Sequence, residues 1–108
     1  MLLWLIACSG GIETHQDFSI SYAQSQCRAY KQCHRSLFDG EYGTMADCEE
    51  EVQESFWEEN INLYEGCTYN ADKAQECITL INRSSCGELW TEQEQIYESC
   101  HADVWICS

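Results

Sequence analysis

Nine cysteines stand in a chain of 108 residues, at positions 8, 27, 33, 48, 67, 77, 86, 100 and 107. Thiols at this density ligate metal, attack substrates or close disulfides. Zinc sites draw ligands from close pairs such as CxxC, whereas the tightest spacing here, Cys27 to Cys33, leaves five residues between. Two dipeptides, Cys33-His34 and Cys100-His101, hold the parts of an imidazole-activated thiol or a metal site. Adjacent helical residues point about 100° apart, however, and do not face each other. His34 also continues an apolar stripe, where a core histidine is the expectation. No GxSxG, HExxH or phosphate-binding glycine loop occurs, so no catalytic residue, metal or cofactor is expected. Cys27, Cys33, Cys48, Cys67, Cys77, Cys86, Cys100 and Cys107 are expected to form four disulfides in an oxidising compartment.

The charge balance narrows the partners. Nineteen Asp and Glu face five Lys and Arg, for a net charge of −14. Such a body repels nucleic acid and anionic lipid headgroups, so nucleic-acid binding is disfavoured. Glu49-Glu50-Glu51 and Glu58-Glu59 lack the Asp-rich alternation and central glycine of a calcium loop, and read as a solvated helix face. Leu, Ile, Val and Phe make up less than a fifth of the chain, the level at which burial alone stops supporting a fold. Disulfides must supply the difference.

Nine thiols cannot all pair within one chain, and one of them follows an apolar N-terminus. Leu5-Ile6-Ala7-Cys8 resembles the lipobox of bacterial lipoproteins: an aliphatic residue, a tolerant position, a small residue, then cysteine. The resemblance implies that residues 1–7 are a signal peptide and that Cys8 carries a diacylglyceryl group. Ser9 in place of Asp implies passage to the outer membrane. The apolar stretch covers only residues 2–7 and no Lys or Arg precedes Arg28, so the leader is short and is expected to begin upstream. A membrane-spanning anchor would need about 20 apolar residues and is not expected.

The elements that position the cysteines follow from periodicity. SGGIETHQD reads as a flexible tether completing residues 8–17, with His15 idle within it. Residues 18–108 should form an all-α domain, a small disulfide-stapled bundle of about four helices, since proline is absent and Gly40, Gly43, Gly66 and Gly87 separate helical stretches. The first helix is expected from Phe18 to Phe38, with Ile20, Ala23, Cys27, Tyr30, His34 and Leu37 inward. FDGEYG is then a turn, and Thr44 with Asp47 resembles a capping box opening a helix from Met45 to Tyr64. Met45, Cys48, Val52, Phe56 and Leu63 should face inward there. Arg28, Lys31 and Arg35 should meet the acidic stripe of Asp47, Glu51, Glu54 and Glu58. A third helix fits Ala71 to Asn82 with Asn70 as its cap. Ser85 with Glu88, and Thr91 with Glu94, both resemble capping boxes. A fourth helix fits Thr91 to Ala102, with Ile96, Tyr97, Cys100 and Val104 supplying its inner face and CGELW as a separate turn.

Eight cysteines allow 105 pairings. Cys33 and Cys48 lie equally far from the middle of FDGEYG, so an antiparallel hairpin should join them. Trp57, Trp90 and Trp105, with six tyrosines, either fill the core or form an interaction patch. Asn82-Arg83-Ser84 is a glycosylation sequon, meaningful only in a eukaryotic secretory pathway.

CRAYKQC, YGTMADC, CTYNADKAQECI with SSC shortly after, and the closing CHADVWIC resemble the small cysteine-rich lipoproteins of myxobacteria and related predatory bacteria. The resemblance spans residues 27–107 and implies an envelope address and a helical, disulfide-stapled fold, with nothing catalytic. The expectation is therefore a binding or structural module of the cell envelope, held to the membrane by an N-terminal acyl anchor and contacting another protein. The alternatives are a small-ligand carrier with an apolar cavity lined by tyrosine and tryptophan, and an unanchored secreted effector or inhibitor.

Overall fold

The structure is a computed structural model that describes residues 12–107. Cys8 and the expected signal peptide lie outside the described residues. Among the described residues, six α-helices run in chain order: α1 (His15–Cys33), α2 (Arg35–Glu41), α3 (Met45–Leu63), α4 (Ala71–Arg83), α5 (Cys86–Thr91) and α6 (Gln93–Cys100). A two-residue strand β1 (Thr68–Tyr69) follows α3 and pairs antiparallel with β2 (Trp105–Ile106), in the register Thr68 to Ile106 and Tyr69 to Trp105. The protein is an all-α, disulfide-stapled fold with α1 at its centre, packed against α3 on one side and α4 on another.

Local chemistry sets the helix starts. Thr14, Thr44, Asn70 and Ser85 each accept a hydrogen bond from the backbone N–H three residues on, satisfying a donor that the first turn leaves free. Two glycines sit where the chain must take a positive φ, Gly43 (φ 83°) after α2 and Gly66 (φ 84°) after α3. A side chain at either would be strained.

Several expectations are corrected. α1 starts at His15 rather than Phe18, so the expected tether ends early: Ile12 is buried, and Tyr69 donates from its hydroxyl to the Ile12 carbonyl at 2.6 Å. The first helix also stops at Cys33. The chain changes direction at His34 (φ −140°, ψ 60°) and restarts as α2, which carries the fully buried Phe38 in over the Cys27–Cys48 bridge. FDGE is thus helical, and the turn is confined to the residues around Gly43. The expected fourth helix is α6, shortened to Gln93–Cys100, and CGELW, expected as a turn, lies in the helix α5.

Cys33 does not pair with Cys48. The bridges are Cys27–Cys48, Cys33–Cys86, Cys67–Cys107 and Cys77–Cys100. The reason is angular. Six residues of α-helix turn the chain through about 600°, which leaves Cys27 and Cys33 roughly 120° apart around α1. Cys27 faces α3, and Cys33 faces α5. The insertion of α2 also removes the symmetry that counting from the turn assumed.

The interior forms two clusters. The larger gathers Phe18, Phe56, Ile78, Ile81, Ile96 and Val104 around the Cys77–Cys100 bridge. The smaller is Phe38 on Cys27–Cys48, flanked by Tyr30, Tyr42 and Val52. Ile20, Leu37, Leu63 and Tyr97, expected inside, are 38–61% exposed, and His34 is exposed as well. Among the described residues the basic edge makes no ion pair with the acidic stripe of α3. Arg28 donates to Asn82 at 3.3 Å, and Lys31 lies 5.7 Å from the centre of the Phe38 ring. Among the described residues the ion pairs are Arg35–Asp39 and Lys73–Glu76, both exposed.

Candidate functional site

One face of α1 is left uncovered along part of its length. Tyr22, Gln26, Ala29 and Tyr30 recur at three- and four-residue steps, so they share one side of the helix. α5 and α6 stand across from them, contributing Leu89, Trp90, Ile96 and Tyr97, and the space between is an open groove of about 320 Å³. The Cys33–Cys86 bridge closes one end of this groove and clamps α1 to α5. The start of α5 is held by a reciprocal capping box. Ser85 donates its N–H to Glu88 Oε1 at 2.8 Å, and the Glu88 N–H donates to Ser85 Oγ at 3.1 Å. The hydrogen bond from the Ser85 backbone holds the Glu88 carboxyl below the usual carboxylate range. The second expected box, Thr91 with Glu94, does not form, because the Thr91 hydroxyl donates back to the Gly87 carbonyl.

The groove carries aromatic surface without formal charge. Trp90 is 70% exposed and Tyr97 51% exposed, so both rings meet water at the mouth. Gln26 Nε2 donates to the Tyr22 hydroxyl at 2.8 Å, and burial pushes the Tyr22 phenol up, so it stays neutral. A rigid concave surface of aromatic rings with a few fixed amides is suited to hold an apolar or aromatic group.

The residues singled out in the sequence scatter relative to this groove. Cys33 and His34 line it, but Cys33 is oxidised and His34 is on the surface. Cys100 is oxidised and buried, and His101 beside it is 3% exposed. Neither dipeptide offers a free thiol. Among the described residues no group of three or more His, Cys, Asp and Glu stands close enough to hold a metal ion, and no helix is long and apolar enough to cross a membrane. Trp57 and Trp105 are half-buried, and Trp90 is the exposed one. The sequon residue Asn82 is at the surface, accepting from Arg28.

Of two functional-looking side chains, the sequence reading takes one as idle and does not single out the other. His15 is 9% exposed, stacked on Trp57 (centroids 4.8 Å apart, planes at 22°) with the edge of Trp105 at the same distance. Both of its ring nitrogens are buried and lack a hydrogen-bond partner among the described residues. Burial lowers its pKa to about 4. Asn60 is fully buried on α3, where it donates to the Phe56 carbonyl and accepts from Trp105 Nε1 at 3.0 Å. A histidine one turn before Phe18 was the available signal for the first. Nothing local marks the second, whose partner lies 45 residues away.

No protein-family model matches the chain, and no curated protein or solved structure matches it either. The four disulfides belong to an oxidising, extracytoplasmic environment.

Proposed function

We propose that the protein is a lipid-anchored module of the bacterial envelope that binds a partner protein through the groove between α1, α5 and α6. Acylation of Cys8 would hold it at the outer membrane, with the acidic body kept off anionic headgroups by its own charge. The observation that carries the binding reading is the exposed Trp90–Tyr97 mouth. Large rings left in water on bridge-clamped helices are the side chains from which interface hot spots are built. Leu89 and Ile96 line the groove behind them, so the fitting occupant is an apolar or aromatic side chain of the partner. A volume of about 320 Å³ also lies at the small end of ligand pockets, which supports a small apolar ligand as the second reading.

The test starts from protein extracted from membranes in mild detergent. Intact mass should show an acyl increment on the peptide carrying Cys8, and a bound partner should co-purify. Trp90→Ala should release that partner while Leu63→Ala, an exposed apolar change on α3, should not. An unacylated Cys8 would remove the anchor, and equal retention by both variants would remove the groove.

A further inference from the structure

The four bridges differ in what surrounds them. Cys27, Cys48, Cys77 and Cys100 are 1% exposed or less, so the two bonds they form lie inside the two clusters. Cys86 is exposed and Cys33 half-buried, as are Cys107 and Cys67. Exposed disulfides are the ones that exchange readily with thiols. Of these two outer bonds, Cys33–Cys86 borders the partner groove and Cys67–Cys107 does not. Behind Cys33–Cys86 lies a smaller concavity of about 80 Å³. Ala29, Cys33, Cys86 and Leu89 line both spaces, so α5 meets α1 along a narrow wall made by these four residues.

Little else holds α5 in place. It contains no buried residue, and half-buried Leu89 is its contact with the larger cluster. Among the described residues, the hydrogen bonds of Cys86–Thr91 stay between Ser85 and Glu92. None of them reaches α1 or α4. The neighbouring α6 is anchored separately, by buried Ile96 and by the Cys77–Cys100 bond. Glu92 (φ −112°, ψ 25°) interrupts the helix between α5 and α6, and Ser84 and Ser85 are extended on the other side of α5. A short helix between two joints, with few buried contacts, belongs to the low-stability part of a fold. One covalent bond pins it across the groove.

We propose that Cys33–Cys86 is a redox gate on the partner groove: a dithiol reductant opens it, α5 swings away from α1 carrying Leu89 and Trp90, and the partner is released. The gate deepens the partner-groove reading and its release step rests on that reading. The reductant is a protein or small molecule carrying a thiol pair, of the CxxC kind. One thiolate of the pair attacks the sulfur of exposed Cys86, forming a mixed disulfide as the Cys33–Cys86 bond breaks, and Cys33 leaves as a thiolate. The second thiolate of the pair then closes the reductant's own disulfide and expels Cys86. Two electrons pass to the bridge, and the two protons of the dithiol end on Cys33 and Cys86. The buried bonds are out of reach of the same attack, so the body keeps its shape while the groove comes apart.

The test is graded reduction of the intact, disulfide-bonded protein with dithiothreitol at neutral pH, each step trapped with iodoacetamide and mapped by peptide mass. Cys33 and Cys86 should be alkylated at about a tenth or less of the reductant that opens Cys27–Cys48 and Cys77–Cys100. At that step nuclear Overhauser contacts between α1 and α5 should vanish while those between α1 and α3 remain. A partner bound in the membrane extract should be released at the same step. Cys33→Ser with Cys86→Ser should show the separation without reductant, and Cys67→Ser with Cys107→Ser should not. Three results would each overturn the gate: buried bridges opening together with Cys33–Cys86, α1–α5 contacts that outlast the bond, or a partner held equally well after it opens. An oxidised protein that holds no partner would strike the groove reading and the release with it. The reduction order and the α1–α5 separation are read without a partner, so the two failures are told apart.

Discussion

His15 shows how much a single side chain costs when its chemistry and its surroundings disagree. Its ring is enclosed by Phe18, Phe56, Trp57, Tyr69 and Trp105, none of which offers its nitrogens a partner. The folded protein therefore holds it neutral, with a pKa of about 4 against an ordinary 6.5. Above pH 6.5 both folded and unfolded chains carry it uncharged. Between 6.5 and 4 the unfolded chain takes up the proton and the folded chain does not, so stability falls as the pH falls. The loss should be on the order of 3 kcal/mol across that window, and His101, shifted in the same direction by burial, adds to it. Urea midpoints at pH 7 and pH 4 should differ clearly in the native chain. In His15→Phe the difference should shrink by about that amount, with stability at pH 7 kept. An unchanged acid limb in the variant would place the proton uptake elsewhere. The sequence places this histidine in a tether of Gly, Glu, Thr and Gln, and only its packing against α3 and β2 reveals its weight.

At the scale of elements, local signals were legible and directional ones were not. Thr44 with Asp47, Asn70, and Ser85 with Glu88 all announce helix starts, and all three caps form. A cap depends on residues three apart, which sequence displays directly. Asn70 is informative because its side chain caps α4 while its N–H donates to the Val104 carbonyl at 2.8 Å. Asn70→Ala keeps the second bond and loses the first. It should lower stability by about 1 kcal/mol, seen as a lower urea midpoint at unchanged slope. A change in slope would mean that α4 had become detached. The break at His34 had no comparable sign, since CHRSLF keeps a helical pattern on both sides of it. What stops α1 there is the demand that Cys27 reach α3, Cys33 reach α5, and Phe38 return over the first bridge. That demand is set by partners 21 to 53 residues away.

For the whole molecule, covalent bonds stand in for a large interior. The buried clusters are small, and four bridges span separations of 21, 53, 40 and 23 residues. On a chain-entropy account each stabilises the fold by about 3–4 kcal/mol, together comparable to the net stability of a typical domain. Reduction should therefore abolish the helical circular dichroism at room temperature, and a reduced protein that kept its melting transition would refute this. The all-α class and the use of all eight downstream cysteines were readable from composition and glycine spacing. The groove was not, because it is assembled from the uncovered side of α1 and two short helices, the first of which reads as a turn.

None of the four bonds joins cysteines that are neighbours along the chain. Cys27 passes over Cys33 to reach Cys48, and Cys33 waits until Cys86 has been delivered. A chain crossing a membrane from its N-terminus and oxidised in order of arrival would link Cys27 to Cys33 first, and wrongly. Thiol exchange must then undo that mistake, so oxidative refolding should run faster with an isomerase present than with an oxidant alone.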